Sequence, residues 1–344
     1  MRGVFLKKYR KKTTCLLLCA AVCLLLWACK AAPPVETVPE TTVPVVKSFA
    51  SPDFPEELKQ YLGPWDQDAS AMAVEDGRLH YYFMSSRGML ATPEATAPSK
   101  WGDACLVVFP DGRTMLVDSG SDAYSPVLVE NLKRLGIQKL DYVFFSHEHF
   151  DHVGGALTEG GVFDSFPVGR VYWSGITYPN NHDVRQFCAD RGIPLKTVRR
   201  GDALRFGDVR LEVLWPEIFA TKDSAATVTA QNNYSLVFRL EYQTHSALFP
   251  GDLYARGEEK LMYVAGNKLD VDLVKICHHG HDSSSSTAFV QALSAKLAVA
   301  TGAVPIAPVV QQAYDSTGTK VLSDLEHGYI HITSDGTDLV QEPV

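Results

Sequence analysis

The chain has 344 residues, 46% of them hydrophobic and 21% charged, a balance that supports one large or two ordinary packed domains and excludes an intrinsically disordered chain. The formal net charge is −8, but residues 1–28 hold six basic residues (Arg2, Lys7, Lys8, Arg10, Lys11, Lys12) and no acidic one, so the rest carries 26 basic against 40 acidic residues, a net of −14. A body that acidic repels polyanions at long range, which excludes strong nonspecific nucleic-acid binding outside a locally basic or metal-charged cleft.

Met1–Lys12 is a basic leader and Cys15–Ala28 an apolar run, CLLLCAAVCLLLWA, shorter than a membrane-spanning helix needs. This pattern reads as a signal peptide over residues 1–29. Its end, Leu26-Trp27-Ala28-Cys29, resembles the lipobox of bacterial lipoproteins, which implies lipid attachment at Cys29 and a protein exported to the outer face of the cytoplasmic membrane. Residues 30–75 form a lead-in whose Pro/Val/Thr/Glu-rich first part reads as an extended tether. The remaining cysteines, Cys105, Cys188 and Cys277, are too few and too scattered for a disulfide framework. They read as buried thiols, with a ligand role for Cys277 as the alternative.

Strands and helices alternate over 76–344. Leu79–Met84 is the first expected strand, and Ala104–Phe109 with Thr114–Asp118 form a hairpin around Pro110–Arg113. A helix follows from Ser125-Pro126, with serine as N-cap, to Gly136. Leu140–Phe145 is an apolar strand. Arg170–Trp173 is a strand, His182–Arg191 a helix, Ala203–Leu214 two strands about Gly207-Asp208, and Ser235–Tyr242 with Ser246–Phe249 a hairpin. Leu273–Cys277 is a strand, Ser286–Ala295 a helix, and Leu297–Ala300, Lys320–Leu322 and Tyr329–Thr333 are strands, with a helix near Val309–Tyr314. Hairpins mixed with βα units predict two sheets flanked by helices. No repeat of fixed period and no phosphate-binding glycine loop is present.

The strand Leu140–Phe145 runs into Ser146-His147-Glu148-His149-Phe150-Asp151-His152-Val153-Gly154-Gly155. Imidazole and carboxylate together suit zinc, manganese or iron. His147 and His149, two apart on extended backbone, point the same way and suit one ion; Asp151 and His152 diverge and can serve a second. Gly154-Gly155 is expected to let the backbone turn tightly into a helix. The run resembles the His-x-His-x-Asp-His motif of the metallo-β-lactamase superfamily, which implies a four-layer αβ/βα sandwich with metals at one edge of the sheets. That resemblance assigns His147, His149, Asp151, His152, Asp252 and His278 as ligands of one or two Zn²⁺ ions, with Mn²⁺ as an alternative. Gly251-Asp252 resembles the motif whose aspartate bridges the metals, and Cys277-His278-His279-Gly280 resembles the last histidine motif, with the choice of ligand between His278 and His279 open. Asp118, in Val117-Asp118-Ser119-Gly120, would orient ligands through hydrogen bonds or be a simple turn aspartate.

Taken in order, Gly102-Asp103-Ala104, Asn232-Asn233-Tyr234-Ser235, Gly251-Asp252 and His278-His279-Gly280 are similar to the hydrolase-like domain of ComEC-type competence proteins and their free-standing relatives. This implies a metal-dependent hydrolase, a phosphodiesterase or nuclease-like phosphoesterase, in which Asp151 or Asp252 holds the nucleophilic water, His279 or His281 serves the leaving group or a phosphate oxygen, and Asn233 meets substrate or supports the ligands. Ser283–Ser286 can be an anion site or a helix cap. A middle histidine found in many superfamily members is missing; only His182 and His245 occupy that interval. A late histidine of the ComEC-type relatives is replaced by Val304-Pro305-Ile306-Ala307-Pro308. A β-lactam or lactone hydrolase and a non-catalytic, metal-stabilised surface binding protein are the competing expectations.

Overall fold

The computed structural model describes residues 34–39, 54–65, 76–84, 102–177, 182–220 and 227–343. The leader, its lipobox-like end and Cys29 lie outside the described residues. The chain divides into Met1–Val35 and Glu36–Val344, the second holding nearly all of the described residues.

Two eight-stranded sheets face each other. One has the spatial order Leu339–Glu342, Ile330–Ser334, Leu79–Phe83, Cys105–Val108, Thr114–Val117, Leu140–Phe144, Val168–Trp173 and Leu195–Thr197. The other runs Val35–Thr37, Ala203–Phe206, Val209–Trp215, Val237–Tyr242, His245–Phe249, Leu273–Lys275, Leu297–Ala300 and Lys320–Ser323. Each passes from antiparallel to parallel: Thr114–Val117 is antiparallel to its predecessor and parallel to Leu140–Phe144, and His245–Phe249 is antiparallel to Val237–Tyr242 and parallel to Leu273–Lys275.

The inner strands are buried on both faces, as their near-continuous apolar runs require, while the edge strands Val35–Thr37, Leu195–Thr197 and Leu339–Glu342 are exposed or partly so. Leu79, Tyr81, Phe83, Val107, Phe144, Phe238, Leu240 and Phe249 meet between the sheets. Leu106, Leu116 and Val143 pack outward against Val127, Leu128, Leu132 and Val153 of the helices on one side, and Leu248, Val274 and Ala298 against Leu261, Phe289 and Leu293 on the other. This is the four-layer αβ/βα sandwich. Among the described residues no helix is long and apolar enough to cross a membrane. Cys105, Cys188 and Cys277 are free and buried.

Several elements differ from expectation for local reasons. Ser125 opens the helix Ser125–Arg134 rather than capping it; its hydroxyl donates to Gly155 O at 2.9 Å, fixing that helix to the next. Asp183 caps Val184–Arg191 by accepting from Gln186 N. The helix Ala255–Ala265 starts at Tyr254 with no side-chain cap, so its sequence carries no start signal. Within the lead-in, Val35–Thr37 is a strand, Val38 N donates to Arg205 O at 2.9 Å, and Trp65 is buried edge-on against Tyr82 and Tyr329. Val35–Thr37 is thus an exposed edge strand, and Trp65 is packed.

Gly154 and Gly155 do not make a turn. They lie inside the helix Phe150–Leu157, where it crosses the loop after Asp118. A Cβ on Gly154 would stand 2.7 Å from Asp122 N, and one on Gly155 would stand 2.0 Å from Ser119 O. The loop is tied down there: Ser119 N and Oγ both donate to His152 O, at 2.7 and 3.0 Å, and Ala156 N donates to Ser119 Oγ at 3.0 Å. Gly155→Ala is expected to force these backbones apart and destabilise the protein by about 1–3 kcal/mol. A fall in the urea midpoint at unchanged slope would show this; an unmoved midpoint would mean the contact is not tight.

Candidate metal centre

The histidines and carboxylates gather where the parallel strands of both sheets end. Asp118 follows Thr114–Val117, the His147 cluster follows Leu140–Phe144, Asp252 follows His245–Phe249, His278 and His279 follow Leu273–Lys275, and Thr301 follows Leu297–Ala300. Both sheets therefore contribute to one edge.

Asp252 Oδ2 is the hub. It lies 3.1 Å from His152 Nε2, 3.5 Å from His279 Nε2, 3.9 Å from His278 Nε2 and 4.0 Å from His147 Nε2. His147 Nε2 and His149 Nδ1 are 2.9 Å apart. Asp151 Oδ2 lies 3.3 Å from His279 Nε2 and 3.9 Å from His152 Nε2. The structure thus brings together every expected ligand: His147, His149, Asp151, His152, Asp252 and His278. It also draws in His279 more deeply than His278, since His279 is buried and His278 is partly exposed.

Two carboxylates orient two of the histidines. Asp118 Oδ1 accepts from Ser146 N at 2.8 Å, and its Oδ2 accepts from Ser146 Oγ at 2.8 Å and meets His152 Nδ1 at 2.9 Å. Asp118 thus stands behind His152, held at a left-handed φ of 54°. Asp103 plays the matching part for His279, with Oδ1 3.2 Å from Nδ1. Asp103 also accepts from the Thr301 hydroxyl and pairs with the Lys275 ammonium. Lys275 Nζ reaches Asp252 Oδ1 at 3.5 Å and donates to Gly251 O. Neither Asp103 nor Lys275 was given a role by its sequence pattern; a GDA run and a lysine in an apolar strand carry no ligand spacing.

Electrostatics follow from burial. Burial alone would raise the carboxylates, but Lys275 and His279 hold Asp103 far below the usual range, and His152, His279 and Lys275 do the same for Asp252. Burial disfavours charge on His152 and His279, yet Asp252 with Asp118 for the first, and Asp252 with Asp103 for the second, raise both well above normal. His147 is pushed down by burial and by the neighbouring imidazoles, and His278, mainly by burial, to about 4.

This donor set fits a divalent metal. Asp103, His152, Asp252 and His279 place ligand atoms within 4.8 Å of one another. His152 Nε2 is buried without a hydrogen bond although two carboxylates stand within 4 Å, the arrangement of lone pairs converging on a shared point rather than on each other. Imidazole with carboxylate suits zinc, manganese or iron, and Nδ1–carboxylate contacts are the usual support for a metal-bound histidine.

Other expected residues lie elsewhere. Asn233 is at the end of the helix Val228–Asn233, its amide donating to Thr229 O at 2.8 Å and its Oδ1 lying over Gly257. It does not join the cluster, whereas Tyr254, just before the helix Ala255–Ala265, has its ring 4.9 Å from His278. His281 is half-exposed, with Nδ1 2.8 Å from Asp282 and its ring 5.2 Å from His278. His245 begins the strand that Asp252 follows, and it is buried against Tyr81 OH at 2.9 Å; it cannot be the middle ligand. Cys277 faces Glu258. Ser286 caps the helix Thr287–Leu293, and the N–H groups of Ser285 and Ser286 are taken by the Glu258 carboxylate, so the anion held at that helix start is Glu258 itself.

A sequence profile of the metallo-beta-lactamase superfamily matches residues 102–301. ComE operon protein 3 of Bacillus subtilis is 29% identical over 217 residues, 58% of this chain and 26% of that protein. Competence protein ComA of Neisseria gonorrhoeae is 28% identical over 215 residues, 61% of this chain and 28% of that one. The match therefore spans about a quarter of the length of these curated relatives. Among solved structures, the metallo-beta-lactamase fold protein YhfI from Bacillus subtilis superposes with a TM-score of 0.44 at 12% identity, covering 77% of this chain and 99% of that one.

Removing Lys275 tests the charge balance. Lys275→Met leaves Asp103 and Asp252 buried without their ammonium, and the metal-free protein is expected to lose about 3–5 kcal/mol. Added Zn²⁺ or Mn²⁺ should restore part of the loss in thermal melts, because the ion replaces the missing positive charge. An unchanged melt would show that the two carboxylates are compensated by other groups.

Proposed function

The chain belongs to the metallo-beta-lactamase superfamily and is a metal-dependent hydrolase of that fold, and on that premise we propose that it is a phosphodiesterase. The observation that carries this is Asp252 Oδ2 within 4.0 Å of the Nε2 atoms of His147, His152, His278 and His279, a carboxylate shared between donor groups from both sheets. The similarity to competence proteins supports a phosphodiester over a ring amide. So does the lack, among the described residues, of a histidine placed to complete the His147–His149 pair.

Zn²⁺, or Mn²⁺ in its place, would be held by His147 and His149 on one side and by Asp151, His152 and His279 or His278 on the other, with Asp252 between. When bound, the ion supplies an acidified water and positive charge for the phosphoryl oxygens. The protein's share is positioning. Asp118 fixes the tautomer of His152, and Asp103, held by Lys275 and Thr301, fixes that of His279. Asp151 and Asp252 accept from and aim the nucleophile. His279 is wedged between Asp103 and Asp151, so the half-exposed His281 is the better placed of the two to give a proton to the leaving group. His278 stays neutral near pH 7, with Nδ1 2.6 Å from Ser283 Oγ. Lipid attachment at Cys29 would hold this chemistry at the outer face of the cytoplasmic membrane.

The protein, stripped of metal and assayed with bis(p-nitrophenyl) phosphate, is expected to turn over only when Zn²⁺ or Mn²⁺ is restored, and Asp252→Ala to lose roughly a hundredfold or more in kcat. A folded, metal-loaded protein that leaves this diester intact but opens a chromogenic cephalosporin would replace the reading with a lactamase; turnover of neither would favour a binding protein. For location, Cys29→Ser should move the protein from the membrane pellet to the soluble fraction, and an unchanged pellet would argue for an uncleaved anchor.

A further inference from the structure

Of the Asn-Asn-Tyr-Ser run, Ser235 serves the metal cluster, its hydroxyl accepting from Asp252 N at 3.2 Å. Asn233 and Tyr234 turn instead toward a cavity of about 190 Å³ that they line with Ala230, Arg256, Gly257 and Lys260. Gly257 admits no side chain because Leu253 and Asn233 pack against it: a Cβ there would meet Leu253 at 2.4 Å and Asn233 Oδ1 at 3.1 Å. Asn233 Oδ1 is buried without a hydrogen-bond partner. Arg256 and Lys260 are one helical turn apart on the helix Ala255–Ala265 and so share a face.

Several cations of this acidic body are paired, as Arg191 is with Asp164, Arg210 and Arg239 with Glu241, Lys268 with Glu212 and Lys296 with Asp272. Among the described residues, Arg256 and Lys260 have no carboxylate partner; Lys260 Nζ lies instead 5.9 Å from the Trp215 ring and 6.0 Å from that of Tyr234. Arg256 follows Asp252 by four residues, a span of at most about 14 Å, and Tyr254 between them touches His278.

We propose that this cavity binds a further phosphate of a polymeric phosphodiester, beyond the one being cleaved. This rests on the phosphodiesterase reading. Arg256 offers a planar fork to the phosphate oxygens and Lys260 a point charge. Asn233 Oδ1 accepts from a hydroxyl or amino group of the intervening unit, and the Tyr234 ring covers its apolar face. The protein is thereby selective for chains over isolated diesters, although its body repels polyanions.

The test compares wild type with the R256A/K260A double variant, both metal-loaded, on three substrates: bis(p-nitrophenyl) phosphate, a thymidine trinucleotide and a glycerol phosphate trimer. In the variant, kcat/KM for a trimer, relative to the single diester, should fall roughly tenfold or more through KM. A fall for both trimers assigns recognition to the phosphate alone; a fall confined to the trinucleotide adds the base ring on Tyr234 and makes nucleic acid the source. An unchanged ratio for both trimers overturns the proposal. If wild type cleaves no diester, the phosphodiesterase reading fails by itself, and binding of a fluorescein-labelled trinucleotide followed by anisotropy decides the cavity. A tenfold weaker affinity in the variant upholds the phosphate site, and equal affinity removes it.

Discussion

A carboxylate with 2% of its surface exposed stays charged only if positive groups close around it. Asp252 is that carboxylate, and much of the architecture answers to it. His152 and His279 approach from different sheets, Lys275 from the end of the adjoining strand, His147 from within the same buried edge and the partly exposed His278 from the rim. Asp103 and Asp118 then add negative charge behind the histidines, so the buried set carries more carboxylate than Lys275 alone can balance. Metal binding and the packing of this edge are therefore one problem: the donors are close enough to coordinate and too poorly aligned to satisfy one another.

Holding them there costs backbone freedom. His278 and His279 have φ of 46° and 55°, a left-handed conformation uncommon outside glycine, though histidine is among the residues found there more often. The two residues reverse the chain so sharply that neighbouring imidazoles diverge: His279 goes inward to Asp103 and His278 outward to Ser283. Strain of this kind persists where surrounding contacts over-determine it. Here the contacts are Asp103 on one ring, Gly302 packed against the same ring, and His281 N bonded to His278 O at 2.8 Å.

The readability of the sequence follows the range of each signal. The His147–His152 run and Gly251-Asp252 were legible because ligands clustered after a strand leave a short-range pattern, and the hairpin-plus-βα alternation announced two sheets. Asp103, Lys275 and Thr301 were not assigned, since each acquires its role only when separate strands align. Gly154-Gly155 looked like a turn because their neighbour, the Ser119–Asp122 loop, lies some thirty residues away in sequence. Asn233, at the end of a short helix, lies beside Gly257 rather than in the cluster, a placement that helix phase decides and local sequence does not show. The exposed edge strand Val35–Thr37 and the buried Trp65 of the lead-in were hidden by proline-rich surroundings.

The division of the site between the sheets has a corollary. Asp118, His147, His149, Asp151 and His152 come from one antiparallel-to-parallel block, and Asp252, Lys275, His278, His279 and Thr301 from the other. Neither block holds a full donor set. A divalent ion bound at this edge would act as a staple across the seam of the sandwich, adding to the apolar core that already joins the two sheets.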